Sequence, residues 1–173
     1  MVTKVYGDTG VDKIVDGAIT SSDLASGVGG KVLQVVSTTK TNVFTSGSTG
    51  NWVAITGLSA TITPSSTSSK ILITTHVSHG TDTSGNWDLG LALYKNGSVI
   101  TAATGDADGN RTRVSFSGAG REYYELSHGA MTYLDSPSST SALTYSVYGR
   151  VNGGTLYINR TIFDDTTTGS ERG

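Results

Sequence analysis

From Lys31 onward, apolar and polar residues alternate in short runs, the period of half-buried β-strands and not of helices. Lys31-Val32-Leu33-Gln34-Val35-Val36 opens the pattern, and Trp52 to Ile55 and Leu58 to Ile62 continue it. Ser69 to His79 sets Ile71, Ile73, Thr75 and Val77 on one face against Leu72, Thr74 and His76 on the other, which predicts a long strand after a Ser/Thr loop. Trp87 to Tyr94 places Trp87, Leu89, Leu91 and Leu93 on one face. Asn96-Gly97 then supplies the two residues that tolerate φ > 0 in a type I′ turn, so Ser98 to Thr101 should return as a hairpin partner. Further strands are expected at Thr112 to Phe116, Arg121 to Leu126, Ala130 to Leu134, Leu143 to Val151 and Leu156 to Ile158, the last two joined by Asn152-Gly153-Gly154.

So many short strands with no helical stripe predict an all-β fold, an antiparallel β-sandwich of jelly-roll-like type over residues 31–165. Residues 1–30 break the pattern: Val5, Ile14, Val15, Ile19 and Leu24 stand isolated among small and polar residues, and Gly27-Val28-Gly29-Gly30 closes the segment. These side chains cannot build a core alone. The segment is therefore read as an extended N-terminal arm that packs on other chains, in preference to a flexible leader, with at most one helical turn near Ser21 to Ser26. Residues 166–173 form a polar tail.

Composition sharpens this picture. Thr and Ser occupy 50 of the 173 positions while charged residues make up 15%, so the polar surface is hydroxylated and hardly ionic. Thr suits a pleated, half-solvated strand, and the 23 Gly suit turns. Without Cys there is no disulfide framework, thiolate nucleophile or Cys-based zinc site. A net charge of -2 with scattered basic residues argues against nucleic-acid binding. No apolar run is long enough to span a bilayer and the first residues lack a signal-peptide core, so synthesis as a soluble cytoplasmic protein is expected.

Catalytic patterns are weak. The nucleophile elbow G-x-S-x-G does not occur. Asp106, Asp108, Glu122 and Glu125 are candidates for paired-carboxylate glycoside cleavage, but solvated loop and strand-edge acids are the simpler reading. Asp106-Ala107-Asp108-Gly109-Asn110 offers oxygens at alternate positions without the remainder of a calcium loop, and reads as a polar turn. His76 and His79 should face opposite sides of a strand and its exit, and His128 is remote in sequence; only a threefold axis would gather copies of one histidine around a metal. Tyr123, Tyr124, Tyr133, Tyr145, Tyr148 and Tyr157 could stack on sugars, yet a sandwich would place most of them in its core or at subunit contacts. Asn96, Asn110 and Asn159 begin N-x-[ST] triplets that a Ser/Thr-rich chain yields by chance. No catalytic residue, metal site or cofactor is assigned.

Several blocks then align in order: GKVLQVVSTTKT (30–41), WVAITGLSATITPSSTSSKILI (52–73), LYKNGSVI (93–100), GDADGNRTRVSF (105–116), YLDSPSSTSALTYSV (133–147) and GTLYINR (154–160). Together they resemble tail-fibre-like virion structural proteins of marine bacteriophages, of the cyanophage type. The leader GVDKIVDGAITSSDLASGVGGK is similar to the connector that precedes this module in phage fibres. The resemblance implies a non-enzymatic virion protein made in a bacterial host, working as a homotrimeric tail-fibre or tail-appendage subunit and joined through residues 1–30 to other virion proteins. It also implies a further apolar strand after the last block, where this chain reads DDTTTGSERG; either the chain is truncated or a neighbour completes the sheet. Alternative roles are a capsid decoration or cement protein and a free carbohydrate-binding module. Since loops carry specificity on a rigid scaffold, host-surface polysaccharide would meet the loops 79–86 and 104–113, through His79, Asp82, Asn86, Asp106, Asp108, Asn110 and Arg111.

Overall fold

The alternating Thr, Ser and aliphatic residues become β-strands in the computed structural model, which describes residues 32–81, 89–118 and 126–163. The strands are β1 (Phe44–Ser46), β2 (Val53–Ile62), β3 (Ile71–Thr81), β4 (Leu89–Lys95), β5 (Ser98–Val99), β6 (Phe116–Gly118), β7 (Ser127–Asp135), β8 (Leu143–Val151) and β9 (Leu156–Ile158), with one 3-10 turn at Thr101–Ala103. All lie in the unit of the chain that begins at Val36.

Pairing is nested: β1 with β9, β2 with β8, β3 with β7 and β4 with β6, each antiparallel. The chain thus winds as one long hairpin folded over on itself. Its strands alternate between a sheet of order β1-β9-β3-β7 and a second of order β2-β8-β4-β5, with β6 also on β4. This is jelly-roll order, and the expected all-β antiparallel sandwich is the observed fold.

Period-two patterning decides which side chains enter the space between the sheets. β8 buries Leu143, Tyr145, Val147, Gly149 and Val151 and half-exposes the residues between them. Ile55, Val77, Leu89, Leu91, Leu156 and Ile158 build one end of the core with Val147 and Val151; Ile71, Leu93, Ile100 and Leu143 build the other with Tyr145. Each such side chain contributes about 1.5–3 kcal/mol when fully buried.

Local turn chemistry agrees with the sequence at Asn96-Gly97, where φ values of 50° and 80° close the β4–β5 hairpin. Asn96 also accepts the Thr144 N–H on Oδ1 (2.8 Å) and donates its own N–H to Thr144 O, so the turn caps the start of β8. The runs expected at Trp52 to Ile55 and Leu58 to Ile62 merge into the single strand β2. Its register slips between Ala54 and Ser59, where Gly57 takes φ 89°, a bulge that needs a residue without Cβ.

Other expectations need correction. Of the run expected at Lys31 to Val36, residues 32–36 are not a strand: residues 32–43 pair with no strand among the described residues, and Val32, Leu33 and Val35 are exposed. The run has strand composition, but its alternate apolar residues find no face to bury. Residues 112–115 are irregular, with pairing only from Phe116, whereas β7 extends beyond the expected 130–134 at both ends. Asn159 is buried; its side-chain amide donates to Lys40 O (2.7 Å) and Asn42 O, so the triplet that it begins is a tether for the segment before β1. Residues 1–31, 82–88, 119–125 and 164–173, which hold the arm, the polar tail, Trp87 and most of the strand expected at 121–126, lie outside the described residues.

One polar tie crosses the sandwich. Asp135 on β7 accepts hydrogen bonds on Oδ2 from Lys95 Nζ (2.8 Å) on β4 and Tyr145 OH (2.6 Å) on β8. Burial alone would raise the Asp135 carboxyl, but the bonds from Lys95 and Tyr145 and the Lys95 charge outweigh it and hold the group below its ordinary value. Burial, and then the bond to Asp135, push the Tyr145 phenol up.

Candidate functional site

The loop expected to carry recognition is ordered from its base. Arg113 reaches back to the carbonyls of Thr101 (2.9 Å) and Gly105, and Gly105 N–H meets Val114 O (3.3 Å), closing the neck. At the tip, the Arg111 N–H bonds to Asp108 O across Gly109 at φ 56°, and the two side chains pair at 3.3 Å. Asp106, Asp108, Asn110 and Arg111 are all exposed. An exposed pair of this kind adds little stability, so the tip presents donors and acceptors to solvent on a fixed base. These are groups suited to the hydroxyls of a polar ligand.

The stem of this loop lies over the outer face of the second sheet. Thr112 Oγ1 accepts a bond from Arg150 Nη1 (2.9 Å) on β8, and Arg150 Nε donates to Gly50 O (2.9 Å). A Cβ at Gly90 would come within 2.6 Å of Val114 and 3.3 Å of Trp52, so only glycine lets both lie flat on β4. Beside them Tyr94 and Tyr148 stack with centroids 3.7 Å apart, and Trp52 tilts against Tyr94 at 6.2 Å. Burial, then the neighbouring Tyr148 hydroxyl, raise the Tyr94 phenol. Of the tyrosines weighed as sugar platforms, Tyr145 points into the core and Tyr133 packs against it, Tyr148 is taken up by Tyr94, and Tyr157 carries the Arg160 guanidinium at 4.7 Å. Tyr123 and Tyr124 lie outside the described residues.

The first sheet differs. The outward positions of β3 and β7 pair as Leu72 with Leu134, Thr74 with Thr132, His76 with Ala130 and Ser78 with His128. None of the eight is Asp, Glu, Lys or Arg, and Leu72 and Leu134 are 65% and 51% exposed. β7 ends its sheet. The register also sets His76 diagonally beside His128, with ring centroids 5.4 Å apart and planes 21° from parallel, while Ser78 Oγ lies 3.0 Å from His128 Nδ1. Sequence reading kept these histidines apart because the partner of β3 is a strand some fifty residues on, and no local signal gives that register.

His79 requires correction. It was expected in a surface loop, but β3 continues to Thr81 and turns His79 inward, where it is fully buried. It cannot touch a receptor in the folded chain. Neither ring nitrogen has a hydrogen-bond partner among the described residues, nor does buried Thr75 Oγ1, four residues earlier on the strand. Burial, and secondarily the nearby His128, lower the His79 pKa from 6.5 to about 4, so the ring is neutral at pH 7. Asp82, Asn86 and the arm residues Val5, Ile14, Val15, Ile19 and Leu24 lie outside the described residues. Among the described residues no three His, Asp or Glu side chains gather as a metal cage.

No protein-family model, curated protein or solved structure matches the chain.

Proposed function

We propose that this chain is a non-enzymatic structural subunit of a bacterial-virus particle, a tail-fibre or tail-appendage protein that works as a homotrimer. The observation that carries the reading is the outer face of β3 and β7, eight positions without Asp, Glu, Lys or Arg and with two exposed leucines paired side by side. A face without Asp, Glu, Lys or Arg meets its copies without repulsion between such groups, and burying the leucines and strand hydroxyls between symmetric subunits gives durability to a chain without disulfides. The ordered blocks that resemble phage fibre modules supply the virion context. On this reading residues 1–30 join the subunit to other virion proteins, and the 104–113 tip, with Asp106, Asp108, Asn110 and Arg111, faces host-surface polysaccharide.

Antibodies raised against the purified chain test the assignment on intact particles by electron microscopy. Labelling confined to tail appendages is expected. Labelling spread over the capsid would replace the tail reading with a decoration role, and unlabelled particles would overturn the virion reading.

A further inference from the structure

We propose that His76 and His128 form a chelating site for a divalent late first-row transition ion of the zinc and copper class, with Ser78 as its positioning residue. Both rings are exposed, stand on adjacent antiparallel strands and lie nearly parallel with centroids 5.4 Å apart. A metal bound at about 2.0–2.1 Å from two imidazole nitrogens needs those nitrogens within about 4 Å of each other. Exposed rings at this separation reach that distance by small side-chain rotations, with no movement of the strands.

The surroundings define the ion. No Lys or Arg occupies an outward position of β3 or β7, so no fixed cation competes, and no carboxylate stands there to favour calcium or magnesium. Ligation through imidazole alone suits zinc, copper and nickel. Ser78 Oγ is placed to accept the Nδ1–H of His128, which leaves the Nε2 lone pair for the metal, the arrangement by which outer partners orient histidine ligands. With two protein ligands among the described residues the site is open, and water completes it. His79, on the inward face of the same strand, takes no part. Both ligands come from one chain but share the β3/β7 face proposed above as the subunit contact, so zinc binding is measured also on the Leu72→Glu, Leu134→Glu variant, whose open face separates a failed metal site from a covered one.

Calorimetric titration of the full chain with zinc chloride tests the site, together with the histidine ring signals in NMR spectra. A single ion per chain is expected, shifting the His76 and His128 signals and leaving His79 in place, with no response to calcium. His76→Gln and His128→Gln should each weaken binding at least tenfold, and Ser78→Ala about tenfold at unchanged stoichiometry. These positions face solvent, so the inward residues of β3 and β7 are untouched. Absence of zinc binding, unchanged affinity in either histidine variant, or shifts centred on other residues would overturn the site.

Discussion

At the scale of single residues, His79 and Asp135, both buried, act in separate pH windows. His79 has a folded pKa of about 4 against 6.5 in the open chain, so the unfolded state binds the proton first. Its contribution is complete above pH 6.5 and is lost as pH falls toward 4, a decline of about 3 kcal/mol. Urea unfolding across that range should show the slope in the native chain and its near disappearance in His79→Leu. Asp135 has the opposite partners but the same direction: its folded value is held below 3.8, so its contribution is present above that pH and lost as pH falls through the folded value. Asp135→Ala strands Lys95 and Tyr145 and should cost about 2–3 kcal/mol at pH 7, discounted because Lys95 is partly solvated. Tyr145→Phe, which removes one of the two bonds, should cost about 1 kcal/mol in the same denaturation experiment.

At the scale of elements, the 104–113 loop depends on what lies beneath it. Gly90→Ala drives a methyl into Val114 and should destabilise the chain by about 1–3 kcal/mol, while raising amide hydrogen exchange across the loop stem. An exchange pattern unchanged in residues 111–115 would show that the stem does not rest on β4. How far the elements could be read from sequence follows from the range of the forces involved. The Asn96-Gly97 hairpin and the strands β3, β4, β8 and β9 were legible because turn chemistry and period-two burial are local. Lys31 to Val36 misled because alternation reports a capacity to pair and not the presence of a partner. The break in β2 at Gly57 hid a single bulged strand. Placing His79 on a loop failed because the end of β3 is set by pairing with Ser127 and Ile158, contacts distant in sequence. The His76–His128 pair was invisible for the same reason, whereas the exposed tip at Asp106 to Arg111 followed from its Gly and Asp content alone.

At the scale of the whole molecule, the two sheets present unlike outer faces. The second is covered by its own Trp52, Val114 and stacked tyrosines, and the first leaves Leu72 and Leu134 in solvent along the edge strand β7. An assembly that uses the uncovered face would leave the 104–113 tip, on the other sheet, free for recognition. The measurement that tests this most directly is sedimentation equilibrium of the full chain at micromolar concentration, beside the double variant Leu72→Glu, Leu134→Glu. The account predicts a species of three 17.9 kDa chains for the native protein and a folded monomer for the variant, whose charges would repel across the symmetric contact. A native monomer, or a variant that remains trimeric, would contradict it.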